Sequence, residues 1–388
     1  MPERPSPAPS VRRTSHALVA DDRPIRLPHT EFDGTEVRFL GEPVDPDLFP
    51  ASAASLWHAC DGTRPYRSWP PEERELIAGW HAAGLVVAAP PPRPYPSRAL
   101  ICLSPHPDDA QLALGGLLAR YGGRVVDVFS QETWTRRPHY RSRPALASRL
   151  LLEEERVACA VLGAELTVLG QVDAADRSAW QEGYFLEPQD VDAARSAEPE
   201  LFERVTAGLA AEVAGGSLVL VPLAVGGHVD HVLTRQAALE LIARKVLEPE
   251  RVAFYEDMPY SLFANAEAEA GRLLVGPGPS PLAPVLIPGS EAAARVKQEA
   301  LWPYRLQVLE AVTRRIIRHG RQLGTPGWAE RLWVPPESAD AFAELAVTAA
   351  DEPADAFGEP ASTVANDAAD AFGKPASTVA DDVAAAAG

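Results

Sequence analysis

At 388 residues, 46% of them apolar, the chain is long enough for one large domain with a smaller one beside it, each burying a core of its own. A net charge of −18, with eight acidic residues and a single lysine beyond position 350, argues against a nucleic-acid backbone as partner. Three scattered cysteines, Cys60, Cys102 and Cys159, form no C-x-x-C pair, which argues against a disulfide framework or a cysteine zinc knot and fits a reducing cytoplasm.

Met1 to His16 is polar and proline-rich and lacks the apolar centre of a signal peptide, so residues 1 to about 30 are expected to be a flexible lead-in. No run approaches the roughly 20 apolar residues of a membrane span, and a cytoplasmic protein without membrane contact is expected. Residues 31–92 read as a small domain. A strand-like run covers Glu36 to Leu40, and helical spacing over Ala51–Cys60 and Glu72–Ala83 turns Leu56, Trp57, Leu76, Ile77 and Trp80 inward. Gly62 and Pro70-Pro71 supply the stops. The segments Leu56-Trp57-His58-Ala59-Cys60-Asp61-Gly62-Thr63 and Ala82-Ala83-Gly84-Leu85-Val86 resemble PqqD-like winged-helix domains. That resemblance implies peptide docking at residues 31–92.

Over residues 96–335 short apolar runs alternate with helical stretches. Strands are expected at Ala99–Ser104, Arg124–Phe129, Glu165–Leu169, Ser217–Leu223 and Val252–Tyr255, and helices near Gln111–Tyr121, Ala145–Leu162 and Pro199–Val213. The alternation predicts an α/β fold, a Rossmann-like, mostly parallel sheet with flanking helices. Residues 336–388 turn to Ala, Asp, Ser and Pro, and Asp355–Ala369 returns almost unchanged as Asp370–Ala384. Two copies cannot stack into a solenoid, so a low-complexity acidic tail without fixed structure is expected.

Chemistry begins at the end of the first strand of this domain, His106-Pro107-Asp108-Asp109. Proline fixes the backbone between imidazole and carboxylates, so that His106 and Asp109 face one ion while Asp108 faces water as general base. A second strand end delivers Gly227-His228-Val229-Asp230-His231. His231 completes a His-Asp-His set, the donor types and number of a hydrolytic zinc site. His228 then lies beside the metal to polarise a carbonyl or protonate a leaving amine, and Asp230 orients a histidine from behind. Zinc and ferrous iron suit these ligands alike.

The pattern strand-PHPDD-x5-GG followed by strand-HxDH resembles the LmbE/PIG-L family of zinc-dependent deacetylases over roughly Arg98 to Leu332. Lesser echoes are Arg149 with Glu154 ahead of Ala160-Val161-Leu162-Gly163, and Lys297-x2-Ala300-x3-Tyr304-x2-Gln307. The resemblance implies zinc on His106, Asp109 and His231, Asp108 as base, His228 as the group assisting the tetrahedral intermediate, and removal of acetate from N-acetylglucosamine units of a small molecule. One departure is Ala110, where the family usually carries glutamate. A sugar rim is expected from the loop Gln131–Tyr140, through Trp134, Arg136, Arg137, His139 and Tyr140, and from the strand end Tyr255-Glu256-Asp257, through Tyr255 and Glu256. Arg314, Arg315 and Arg318 read as the solvated face of an amphipathic helix. Two other readings compete: an amidase acting on a thiol conjugate or on a leader-docked peptide, and a metal-holding protein without turnover.

Overall fold

Short apolar strands whose alternate residues all find cover determine this architecture. The computed structural model describes residues 17–350 apart from 33–35, 51–52, 92–99, 182, 188–190, 214, 274–280 and 325–326. The first unit runs β1 (Arg23–Arg26), β2 (Thr30–Phe32), β3 (Val37–Phe39), β4 (Glu42–Pro43), α1 (Ala53–Ala59), α2 (Pro71–Ala82) and β5 (Val86–Ala89). Strand β1 pairs antiparallel with β5, while β2, β3 and β4 make a separate three-stranded sheet. Trp57 of α1 meets Trp80 of α2 edge to face, with ring centroids 5.1 Å apart, an arrangement the aromatic quadrupoles favour.

Two expected boundaries move. Strand β1 lies inside the stretch read as a lead-in, because Ile25 and Leu27 are buried but too few to register as a periodic run between prolines. The unit is also joined to the next. His29 Nε2 lies 2.5 Å from Glu154 Oε1, the Trp302 indole donates to Gly84 O at 2.9 Å, and the apolar cluster around Trp57 and Trp80 continues into Leu114 and Leu117.

The second unit follows as β6 (Leu100–Ser104), α3 (Asp109–Tyr121), β7 (Arg124–Asp127), α4 (Pro138–Arg141), α5 (Pro144–Leu162), β8 (Glu165–Val168), α6 (Val191–Ala197), α7 (Pro199–Glu212), β9 (Leu218–Pro222), α8 (Val229–Ala243), β10 (Val252–Tyr255), α9 (Ala266–Arg272), β11 (Ala283–Gly289), α10 (Glu291–Leu301), α11 (Glu310–Leu323), β12 (Trp328–Val334) and α12 (Ala339–Ala350). Seven strands form one sheet in the order β11-β12-β10-β9-β6-β7-β8. The five from β10 to β8 are parallel, and β12 and β11 add an antiparallel edge. Leu100 and Cys102 of β6 enter one apolar core while Ile101 and Leu103 enter the other, as a period of two with both faces covered requires. The chain leaves β6 toward β7 and β8, then returns to β9 on the opposite side. The switch point therefore falls between β6 and β9, where open α/β sheets bind their ligands.

The tail expected from residue 336 begins with an ordered helix. α12 packs against β11, buries Phe342, and its Leu345 carbonyl accepts from the Tyr121 hydroxyl at 2.8 Å. The duplicated segments from Asp355 to Ala384, and Met1 to His16, lie outside the described residues. Among the described residues no helix is long and apolar enough to cross a membrane.

Candidate active site

Both strand-end clusters arrive at the switch point. After β6, His106 N–H donates to Asp109 Oδ2 at 2.9 Å, folding the Pro107 turn back onto the start of α3. Asp108, immediately before that helix, has φ 112° and ψ −30°, a conformation that favours glycine and costs a side-chain-bearing residue about 1–3 kcal/mol. It is held from both sides: Asp108 N–H donates to Glu155 Oε2 at 3.1 Å, and its carbonyl accepts from Leu112 N–H at 2.8 Å. Glu155 is itself gripped by Gln111 and the Tyr304 hydroxyl. After β9, Gly227 has φ 75°, and a Cβ there would sit 2.2 Å from Leu186 O. Only glycine fits this approach, which delivers His228 to the N-terminus of α8 with His231 one turn on.

The three expected ligands converge. Asp109 Oδ2 lies 3.2 Å from His106 Nδ1 and 3.2 Å from His231 Nε2. Donors at about 2.0–2.2 Å from a tetrahedral zinc lie roughly 3.3 Å from one another, so these two spacings and the N, O, N donor set fit such an ion. The far nitrogens fit as well. His231 Nδ1 lies 2.6 Å from Asp257 Oδ1, and His106 Nε2 lies 2.8 Å from Asp173 Oδ2 and 3.0 Å from Asp230 Oδ2. Carboxylates on those nitrogens keep the protons there and leave the inner nitrogens free to ligate. Asp230 is steadied by Arg177 at 2.7 Å. Two other groupings lie within reach of one ion, His106 with His228 and His231, and His106 with Asp173, His228 and Asp230; in the second, His106 Nε2 and both acids are already committed to each other.

The two expected catalytic side chains flank this centre with opposite electrostatics. Burial, and behind it the charges of Asp109 and Glu132, push the Asp108 carboxyl well above the usual carboxylate range. Burial, then His106 and His231, hold the His228 imidazole well below its usual value. His228 Nδ1 accepts from Asp230 N–H at 3.2 Å, so the neutral ring carries its proton on Nε2.

A cleft of about 270 Å³ opens over these groups. Of the expected rim residues, Trp134 and Arg136 line it. The others are corrected. Arg137 Nε is spent on Arg305 O at 2.8 Å, His139 pairs with Glu31 of the first unit at 3.1 Å, and Tyr140 is fully buried. Tyr255 points under the sheet to Leu103 O at 2.8 Å, and Glu256 is taken by Arg331 and Trp333. The helix beginning at Glu310 is less solvated than expected, since Arg315 reaches the cleft and stacks 4.5 Å over Phe263.

Sequence reasoning missed several groups. Asp257 supports His231, where the neighbouring Glu256 was favoured. Asp173 follows the end of β8, a third strand-end acid that gave its own signal. Glu132 is buried and lines the cleft, with Oε1 accepting from Gln307 and Oε2 without a hydrogen-bond partner. Of the lesser echoes, Arg149 is exposed. Glu154 faces His29 and the Arg305 and Leu306 amides. Ala110 is wholly buried in the apolar core, and the acid facing the Asp108 amide is Glu155.

The family model PIG-L, GlcNAc-PI de-N-acetylase, matches residues 101–242. The 2'-N-acetylparomamine deacetylase of Streptomyces fradiae is 32% identical over 236 residues, 59% of this chain and 80% of that protein. Among solved structures, a deacetylase of the teicoplanin biosynthesis pathway is 22% identical with a TM-score of 0.48, covering 61% of this chain and 96% of its own. The N,N'-diacetylchitobiose deacetylase of Pyrococcus horikoshii is 15% identical with a TM-score of 0.41, covering 62% and 84%. These relatives are deacetylases, and none bears on the peptide docking expected of residues 31–92.

Proposed function

Because the chain belongs to the PIG-L (GlcNAc-PI de-N-acetylase) family, we propose that it is a metal-dependent N-deacetylase that releases acetate and a free amine from an amino-sugar-containing small molecule. The observation that carries the reading is the single carboxylate oxygen of Asp109 set 3.2 Å from one nitrogen of each of two imidazoles, supplied by strands on either side of the switch point. A zinc or ferrous ion held by His106, Asp109 and His231 supplies Lewis acidity toward the amide carbonyl and the attacking water.

The remaining steps belong to the chain. The Asp108 carboxylate takes the proton of the attacking water, a task suited to its raised proton affinity. His228 donates its Nε2 proton as a hydrogen bond to the oxygen that becomes negative, and a neutral donor in a buried site stabilises that charge without first losing a proton of its own. Asp108 then returns the proton to the departing nitrogen. Glu132, Asp173, Trp134 and Arg136 provide acceptors, a ring face and a donor for sugar hydroxyls. The relative acting on 2'-N-acetylparomamine supports an amino-sugar substrate, and the three free, buried cysteines suit a reducing compartment.

The test is acetate release from N-acetylglucosaminides by the full-length protein before chelation, after chelation, and after zinc or ferrous iron is restored. Loss and recovery are expected. Turnover that survives complete removal of metal contradicts the proposal.

A further inference from the structure

Two chemically different sets of side chains line the cleft. One is Glu132, Asp173, Trp134 and Arg136, with Glu132 and the Trp134 carbonyl bound to Gln307. The other is an apolar path that starts at the site itself: Leu112 lies on α3 one turn from Asp108, and Met258 directly follows Asp257. Both are buried. The path continues through Val308 and Val312 and ends at the mouth in Leu309 and Phe263, which are 42% and 44% exposed. A contiguous apolar patch that continues a cleft and is rimmed by polar groups marks a binding surface.

We propose that the apolar wall is an acyl groove, and that the preferred substrate is an amino sugar carrying a straight-chain fatty acyl amide longer than acetyl. The proposal rests on the N-deacetylase reading above. The scissile carbonyl has to lie between Asp108 and His228, and from there the amide extends in two directions. Its amine half, rich in hydroxyls, goes to the wall where Glu132 keeps a buried carboxyl oxygen without a partner. The acyl half is left with the wall that begins at Leu112. An acetyl methyl reaches only the start of this path, next to Leu112 and Met258, and leaves Val308, Val312, Leu309 and Phe263 uncovered. A longer chain covers them, and the groove is open at its end, so nothing stops the chain at two carbons. The reaction is the same hydrolysis. Water oxygen bonds to the acyl carbon, the C–N bond breaks, the water proton passes through Asp108 to nitrogen, and the products are a fatty carboxylate and the amine.

The test uses the metal-loaded, full-length protein on two series of glucosamine glycosides. In the first the N-acyl group runs from acetyl through butyryl and hexanoyl to octanoyl, with a methyl aglycone. In the second the acyl group stays acetyl and the aglycone changes from methyl to octyl. We expect kcat/KM to rise about threefold to fourfold for each methylene buried, chiefly through KM, in the first series alone. In a Val312→Trp variant, which blocks the path, the octanoyl-to-acetyl ratio of kcat/KM should fall at least tenfold, with bound metal and circular dichroism as controls for folding. A Leu309→Asp variant at the exposed end should lower the same ratio without disturbing the core. Acetyl turnover with no gain along the acyl series overturns the acyl groove and leaves the deacetylase reading standing. A gain confined to the octyl aglycone overturns it too, giving the groove to the other half of the substrate. No amine released from any member overturns both.

Discussion

In the proposed reaction Asp108 and His228 would face one carbonyl from opposite electrostatic positions, an acid whose proton affinity burial raises and an imidazole that burial keeps neutral. Replacing Asp108 with Asn should lower kcat by about 10²–10⁴-fold, with bound metal retained. Replacing His228 with Ala should lower kcat by about 10²–10³-fold, again with metal retained. Loss of metal from either variant, measured by elemental analysis, would move that residue from proton chemistry to ligation. Behind them, burial raises the Glu155 carboxyl to about 7. A carboxyl whose folded value is raised contributes stability below its unfolded value near 4.5 and loses that contribution as pH climbs through 7, here about 3 kcal/mol. Thermal unfolding followed from pH 4.5 to 7.5 should therefore decline less steeply in Glu155→Gln than in the natural chain. Parallel profiles would contradict this. At this scale the sequence was readable where spacing is local: His106 with Asp109, and His228 with His231, meet around one centre from positions three apart. Where the answer hung on which way a strand-end side chain turns, it was not. Tyr255, Glu256 and Asp257 point to three different surroundings, and nothing in their order says that Asp257 is the one beside His231.

Elements hold these residues in place through contacts distant in sequence. Helix α3 breaks at Leu114, with φ −123° and ψ 18°, and the amides freed just beyond, Gly116 and Leu117, donate to Glu330 at 3.0 and 2.8 Å. Lys297 neutralises the same carboxylate at 2.7 Å. The Gly115-Gly116 pair is thus needed for close packing, since a Cβ at Gly116 would sit 2.3 Å from Trp328. The first unit supports the cleft in a comparable way. Glu154, in contact with His29, also accepts from Arg305 and Leu306 at 2.7 and 3.0 Å, and Leu306 O in turn accepts from the Arg136 amide at 2.9 Å. We infer that residues 17–91 brace this wall of the cleft. His29→Ala removes one of three hydrogen bonds to the buried Glu154 Oε1 and should cost about 1–3 kcal/mol in denaturant unfolding, with KM raised. An unchanged stability and KM would show the unit to be independent. None of this was legible beforehand, because His29 and Glu154 are each unremarkable until the fold brings them together. The edge strand β11 was missed for a local reason: Pro284 and Pro288 interrupt its pattern, which an edge strand tolerates.

For the whole molecule, the alternation of apolar runs with helical stretches was enough to foresee a mostly parallel sheet, and all five parallel strands lie within two residues of their expected bounds. What periodicity could not supply was strand order, and it is order that places β6 beside β9 and brings the two histidine clusters together. The account stands on that convergence into one cation site. Its most direct measurement is the metal content of the purified full-length protein by elemental analysis, alongside Asp109→Ala and Asp108→Asn. The expected result is one zinc or ferrous ion per chain in the natural protein and in Asp108→Asn, and loss of that ion in Asp109→Ala. A natural chain that binds no stoichiometric divalent metal, or an Asp109→Ala chain that keeps it, would contradict the account.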